Sequence, residues 1–371
     1  MRIDKKLKKR IALFVPTLGG GGAEKVMVNL AYGFLEAGHK VDLLLVKNEG
    51  PYFKELSSSL NIVDLRAQHT SLALFSLCRY LRRSNPDVML SAMDYANVVA
   101  LWAKRISRVR TLSVISEHSI FSVAAKKPPN IRTRLSLSIL MRLSYPMADK
   151  IIAVSAGIAH DLARTFGISD EKITVIFNPI RFDNIAKKAT EPIDHPWYRP
   201  GNPPVLLSVG RLHRGKDYPN LLRAFSLIRR KRNVRLIILG EGKERSQLKA
   251  LTRKLNIDQD VDIPGFKDNP YNFMAFSRVF VLSSQFEGFS NVLLEAIACG
   301  CPVVSTDCPS GPKEIFDKTG VGRLVPVGRP ELLAEAIIEA LQHGEKRRPD
   351  LHEFSYEDII KKYMRVCGLN D

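Results

Sequence analysis

Residues 287–305 read Glu-Gly-Phe-Ser-Asn-Val-Leu-Leu-Glu-Ala-Ile-Ala-Cys-Gly-Cys-Pro-Val-Val-Ser. An apolar run, Val279–Leu282, precedes this stretch and another, Pro302–Ser305, closes it, so the segment reads as strand, loop, helix, strand. In an open parallel sheet, ligands sit at the carboxyl ends of the strands, where the next helix starts with unpaired N–H groups. Those donors span Ser290, Asn291, Val292 and Leu293 and suit an anion such as a nucleotide diphosphate. Glu287 stands before the helix and Glu295 inside it. Both can therefore accept hydrogen bonds from hydroxyl-rich groups flanking that anion, a sugar on one side and a ribose on the other.

The same alternation extends along the chain. In the first half, Ile11–Pro16, Val41–Val46, Asp87–Ser91, Thr111–Ser116 and Ile151–Ser155 read as strands. Helical patterns at 23–37, 71–83, 95–106, 131–145 and 156–166 lie between them. A second series follows, with strands at Val205–Val209, Leu236–Leu239, Val261–Ile263, Val279–Leu282, Val303–Ser305 and Arg323–Val325, and helices at 218–230, 243–255, 291–299 and 330–342. The class is α/β, with two Rossmann-like, doubly wound parallel sheets expected to face a cleft. The expected domains are 1–185 and 204–354, joined by a proline-rich linker at 186–203, with a terminal helix within 355–371.

At 371 residues, 45% apolar and 25% charged, the chain has the composition of an ordinary globular protein. No apolar run approaches the ~20 residues of a membrane-spanning helix. The basic start, Met1 to Arg10, runs straight into a strand and does not read as a signal peptide. Five cysteines without Cys-x-x-Cys spacing fit a reducing cytoplasm. The net charge of +18 is uneven: residues 1–185 hold 27 Lys+Arg against 15 Asp+Glu, and 101–150 hold ten against two. That excess points to a polyanionic neighbour, either nucleic acid or an anionic membrane surface.

Two further loops carry chemistry. Gly19-Gly-Gly-Gly22-Ala-Glu24 follows the first strand, where glycines let the backbone approach a phosphate closely. Gly210-Arg-Leu-His-Arg-Gly-Lys216-Asp follows the first strand of the second series. Two cations fixed there would stabilise a departing diphosphate as its charge grows. Asp260-Val-Asp262 is formally a metal motif but lies within a short strand. Gly240-Glu-Gly242 has Arg245 where a dinucleotide fingerprint needs its third glycine. Ile131–Met147 interleaves arginines and leucines, which reads either as a core-facing helix with a basic outer side or as an interfacial helix on anionic lipid.

Together these motifs resemble the retaining glycosyltransferases of family 4, of GT-B fold. The likeness runs from Ile11 to about Val327 and is densest over 205–326. It implies that Gly21 and Gly22 lie beside the donor's distal phosphate and that Arg211 and Lys216 neutralise the diphosphate. Glu287 would hold the transferred sugar, with Phe289 to Leu293 lining the pocket. Glu295 would hold the ribose, Phe266 the base edge, and His118, after Glu117, would reach the sugar. Phe289-Ser-Asn291 departs from the Gly-Phe-Gly filling of many relatives. A terminal helix crossing back to the first domain is also implied.

The resulting expectation is a cytoplasmic, peripherally membrane-bound enzyme on the inner membrane, with no metal and no cofactor. It would move a hexose or N-acetylhexosamine from a nucleotide sugar, a UDP-sugar, to a lipid-linked saccharide acceptor with retention. Lys126, Lys127, Arg132 and Arg134 would form the membrane-facing acceptor side. A nucleotide-sugar epimerase or hydrolase of the same fold is the alternative enzyme. A nucleic-acid-binding protein is the alternative of another class, against which stands the lack of any recognition motif.

Overall fold

The computed structural model describes residues 8–122, 131–344 and 346–369, leaving aside the side chains of residues 54, 55 and 131–135. The chain forms two compact units. The first runs to Ile180 and takes back the chain from Glu353 onward, and the second is Arg181–His352.

The first unit holds β1 (Arg10–Val15), β2 (Lys40–Leu45), β3 (Asn61–Asp64), β4 (Val88–Ala92), β5 (Leu112–Glu117), β6 (Lys150–Ala153) and β7 (Ile173–Val175). They pair in parallel in the order β3-β2-β1-β4-β5-β6-β7. Leu13 pairs with Leu43 on one side and Leu90 on the other. Such central strands, buried on both faces, read as continuous apolar runs. Helices Ala73–Ser84 and Asp94–Ser107 pack their Leu77, Leu81, Ala96 and Ala100 against one face of the sheet. Helix Gly22–Glu36 covers the other, together with helix Tyr356–Val366 from the chain end.

That returning helix follows the resemblance. Ile359, Ile360, Tyr363 and Met364 join the core of the first unit, and Tyr356 donates to the carbonyl of Asn29 at 2.9 Å. Contact is close enough that a Cβ at Gly33 would lie 2.4 Å from Ile360 Cδ1.

The second unit holds β8 (Val205–Val209), β9 (Arg235–Leu239), β10 (Val261–Gly265), β11 (Val279–Leu282), β12 (Val303–Thr306) and β13 (Arg323–Val325), ordered β10-β9-β8-β11-β12-β13. All pairings are again parallel. Strand order reverses direction beside β1 and β4 in the first unit and beside β8 and β11 in the second. A doubly wound sheet binds ligands outside such reversals.

The expected linker is corrected. Over 186–203 the chain is fastened to the second unit rather than free. His195 Nε2 meets Asp262 at 3.0 Å, Tyr198 OH meets Ser277 Oγ at 2.8 Å, and the Arg235 guanidinium lies over the Trp197 ring. The prolines there shape turns, while Ile185, on a helix over Phe182–Ala189, is buried. Strands β3 and β7 were not expected. Both are short edge strands of mixed burial, without the apolar run that marks the central ones.

Gly33→Val should lower unfolding free energy by about 2 kcal/mol, because added methyls in a close-packed contact force side chains off their rotamers. Denaturant titration measures this. An unchanged midpoint would mean that the terminal helix does not pack as described.

Candidate functional site

In the second unit, the loops leaving β8 and β11 meet at the strand-order reversal. Lys216 Nζ lies 2.7 Å from Glu287 Oε1, with side chains 15% and 12% exposed. Ser284 also donates to Glu287 Oε1, and Ser283 donates to the carbonyl of Lys216 at 2.8 Å. Gln285 N–H closes on the carbonyl of Gly215 at 2.8 Å. Gly215 permits this approach, since a Cβ there would stand 2.8 Å from both the Phe286 ring and His213. His213 Nδ1 accepts from Gly215 N–H at 3.0 Å. Desolvation first, then the Lys216 and Arg211 charges, lower its pKa below the usual histidine value, which keeps the imidazole neutral. Arg211 is exposed on the same loop.

Helix Asn291–Ala298 begins at Ser290, which is left-handed at φ +70° and whose buried hydroxyl lacks a hydrogen-bond partner. The expected run of open backbone donors is shortened at one end: Leu293 N–H already closes on Ser290 O at 3.0 Å. Glu295 is half-buried on this helix. The following loop clamps the preceding one. Ser310 donates to Gly288 O at 2.7 Å, and Gly311, at φ +91°, would put a Cβ 2.5 Å from Phe289 O. Phe266 is 52% exposed after β10.

Sequence reasoning missed Ser283, Ser284 and Gly311 as parts of this framework. The signals were present as hydroxyls directly after an apolar strand and a Gly-Pro pair directly before a helix. The formal metal and dinucleotide motifs have structural explanations. Asp260 pairs with Arg229 at 2.7 Å and Asp262 with His195. Arg245 bridges Glu241 and Ile263 O, while Gly240, at φ +140°, would place a Cβ 2.0 Å from Gly210 O.

In the first unit, Gly21 precedes helix Gly22–Glu36, and a Cβ on it would fall 2.3 Å from Glu24 Oε2. The Glu24 carboxylate therefore lies against the helix start, where it complements the unpaired donors. At the end of β5, Glu117 is buried and receives hydrogen bonds from Asn97 at 2.6 Å and from Tyr145 OH. Burial, then the charge of Asp94, hold its carboxyl well above the usual range. His118 follows, half-buried, with Nε2 3.0 Å from Ser116 Oγ. Its pKa falls to about 4 through desolvation. Lys126 and Lys127 lie outside the described residues, as do the side chains of Arg132 and Arg134.

Comparison with known proteins follows this layout. Residues 20–184 match the model of Glycosyltransferase Family 4 and residues 190–357 that of Glycosyl transferases group 1. A Campylobacter jejuni protein, N-acetylgalactosamine-N,N'-diacetylbacillosaminyl-diphospho-undecaprenol 4-alpha-N-acetylgalactosaminyltransferase, is 34% identical over 92% of either chain. The chain belongs to glycosyltransferase family 4. Among solved structures, the glycosyltransferase resembles one from Rickettsia africae, with TM-score 0.79 and 18% identity over 97% of this chain and 98% of that one. It also resembles Anabaena Alr3699/HepE in complex with UDP-glucose, with TM-score 0.76 and 20% identity over 98% and 97%. These likenesses carry the fold, a GT-B pair of parallel-sheet units.

The His118 environment in this glycosyltransferase makes a pH prediction. Its folded pKa, about 4, lies below the ordinary 6.5. Between those values the unfolded chain binds more protons, so stability rises with pH across the window and is lost as pH falls through it. Imidazole NMR should show one histidine titrating near 4, absent in His118→Gln. Titration of His118 near 6.5 would contradict the packing described.

Proposed function

We propose that this glycosyltransferase moves a hexose or N-acetylhexosamine from a UDP-sugar to a lipid-linked saccharide, with retention at the anomeric carbon. The observation that carries this reading is the convergence of Lys216 and Glu287 where β8 and β11 end, beside a helix start with a buried, unpartnered hydroxyl at Ser290. A diphosphate placed there would take its positive partners from Lys216, Arg211 and the backbone N–H groups opening helix Asn291–Ala298. Charge growing on the departing diphosphate is met by groups already in place, without a metal ion in the scheme. Glu287, now paired with Lys216, would accept from a hydroxyl of the transferred sugar. Glu295 would take the ribose hydroxyls, and exposed Phe266 the base edge.

Relatives support the substrate classes. The Campylobacter jejuni protein is named for transfer of an N-acetylhexosamine to a diphospho-undecaprenol saccharide, and the Anabaena protein was captured with UDP-glucose. In this reading the first unit takes the acceptor, with neutral His118 offering an N–H or a lone pair to a sugar hydroxyl. Gly21 and Gly22 would border the donor's distal phosphate once Glu24 gives way. No helix among the described residues is long and apolar enough to cross a membrane. A lipid-linked acceptor would then be met by peripheral binding, on the cytoplasmic face of the inner membrane, with Lys126, Lys127, Arg132 and Arg134 facing anionic lipid.

UDP should raise the melting temperature of the wild type, because a ligand that binds only the native state stabilises it. Lys216→Ala should abolish that rise. Glu287→Gln should cost about a hundredfold in transfer, the usual effect of losing one preorganised contact in the transition state. Near-normal turnover in either variant would refute the assignment. Glu295→Ala should chiefly weaken donor binding, and an unchanged donor constant would remove its ribose role.

A further inference from the structure

Residues of β5 alternate between the two faces of the first sheet. Val114 packs in the core shared with Tyr363 of the returning helix, while Glu117 turns the other way, to Asn97 and Tyr145. Ser116 and His118 follow Val114 on the side of the returning helix, and Ser116 Oγ lies 3.0 Å from His118 Nε2. Ser116 is fully buried. So is Tyr363, whose hydroxyl faces Ser116 without completing a hydrogen bond. The Cys367 thiol, also near that hydroxyl, is a weak acceptor. Nδ1 of His118 has no partner among the described residues.

Desolvation holds the Tyr363 phenol protonated and the His118 imidazole neutral. The three side chains make two links, Tyr363 to Ser116 and Ser116 to His118, and each link holds one proton. With the ring proton on Nε2, three protons meet at two links, and one buried donor is left orphaned at a desolvation cost. With it on Nδ1, Tyr363 donates to Ser116, Ser116 donates to Nε2, and every buried donor has an acceptor. The unpaired Tyr363 hydroxyl is then the open end of a chain that a small shift toward Ser116 closes.

We propose that Ser116, backed by Tyr363, is a positioning residue that fixes His118 in the Nδ1–H tautomer. The ring then presents a hydrogen-bond donor, and no lone pair, at the carboxyl edge of the first sheet. Which nitrogen of an imidazole carries the proton is set by the bond that its other nitrogen makes. An N–H recognises an oxygen that accepts, such as a saccharide hydroxyl or ring oxygen, and cannot withdraw a proton from an attacking hydroxyl. This role rests on the reading in which His118 meets a saccharide, and narrows that reading from donor or acceptor to donor alone. Because Tyr363 comes from the chain end, the terminal helix would act on His118 through two hydroxyls without touching a ligand.

The test is imidazole nitrogen NMR on the full chain labelled at histidine, at about pH 8, above the ordinary histidine value, with His118→Gln assigning the signals. A protonated ring nitrogen and one bearing a lone pair resonate far apart. Wild type should show His118 with Nδ1 protonated and Nε2 bare. Ser116→Ala should lower the ratio of that tautomer to the other by about tenfold or more, the usual weight of one buried unpaired group. Ser116→Thr, which keeps the hydroxyl, should restore the ratio. Unchanged His39 and His160 signals in both variants show that the first unit remains folded. Tyr363→Phe should destabilise the wild type in denaturant titration but not Ser116→Ala, because contacting partners are non-additive. A wild-type ring protonated at Nε2 overturns the assignment, as does a ratio unmoved by Ser116→Ala. Additive losses in the Tyr363 cycle would overturn the link to the terminal helix. Each readout is taken on the free protein, so its failure leaves the donor reading standing, and a missing UDP-induced melting shift leaves the tautomer standing.

Discussion

A charge pair at the ends of two strands organises the second unit. Withdrawing an ammonium and a carboxylate from water is costly, and their attraction offsets this only when further hydrogen bonds satisfy what remains. Lys216 and Glu287 meet that condition, since Ser284 donates to the same carboxylate oxygen and Ser283 ties down the lysine's backbone. The two loops also share a backbone hydrogen bond from Gln285 to Gly215. Cation and acid therefore stand at fixed positions before any ligand arrives. Fixed dipoles and charges need no reorganisation during reaction, which is where much enzymatic stabilisation originates.

Glycine sets how closely these loops can approach. Gly215, Gly240 and Gly311 each sit where a Cβ would collide with a neighbouring loop at 2.0 to 2.8 Å. The collisions link β8 to β11, β9 to β8, and the loop after β12 to the loop after β11. The carboxyl edge of the sheet is thus a chain of backbone contacts through which a change at one loop is felt by the next. Unit one uses a different device at the matching edge of its own sheet. There a buried Glu117, its pKa raised by burial, gathers Asn97 and Tyr145 next to His118 in the chain.

Most central strands could be read directly, because a strand buried on both faces needs an unbroken apolar run. In the second unit β8, β9, β11 and β12 follow that pattern, whereas the edge strands β10 and β13, like β3 and β7 in the first unit, are of mixed burial. Gly-Arg-x4-Lys and Glu-x7-Glu were legible as motifs because their spacing fits a strand end and a helix start. Their partners were not. Ser283 matters through a hydrogen bond to Lys216, 67 residues away in sequence, which no local pattern encodes, and Ser284 through the carboxylate with which that distant lysine pairs. The stretch 186–203 misled for a related reason. Proline-rich composition describes backbone shape, while the seating of Trp197 and Tyr198 depends on tertiary neighbours.

The chain's return to its first unit has a consequence for biosynthesis. Ile359, Tyr363 and Met364 complete a core whose other walls come from residues made far earlier. While the ribosome is still making the second unit, helix Gly22–Glu36 lacks its covering partner. Domains emerging from the ribosome usually fold in order of synthesis. Here the N-terminal body must wait, with the apolar flank of helix Gly22–Glu36 uncovered, until residues 356–366 have been made.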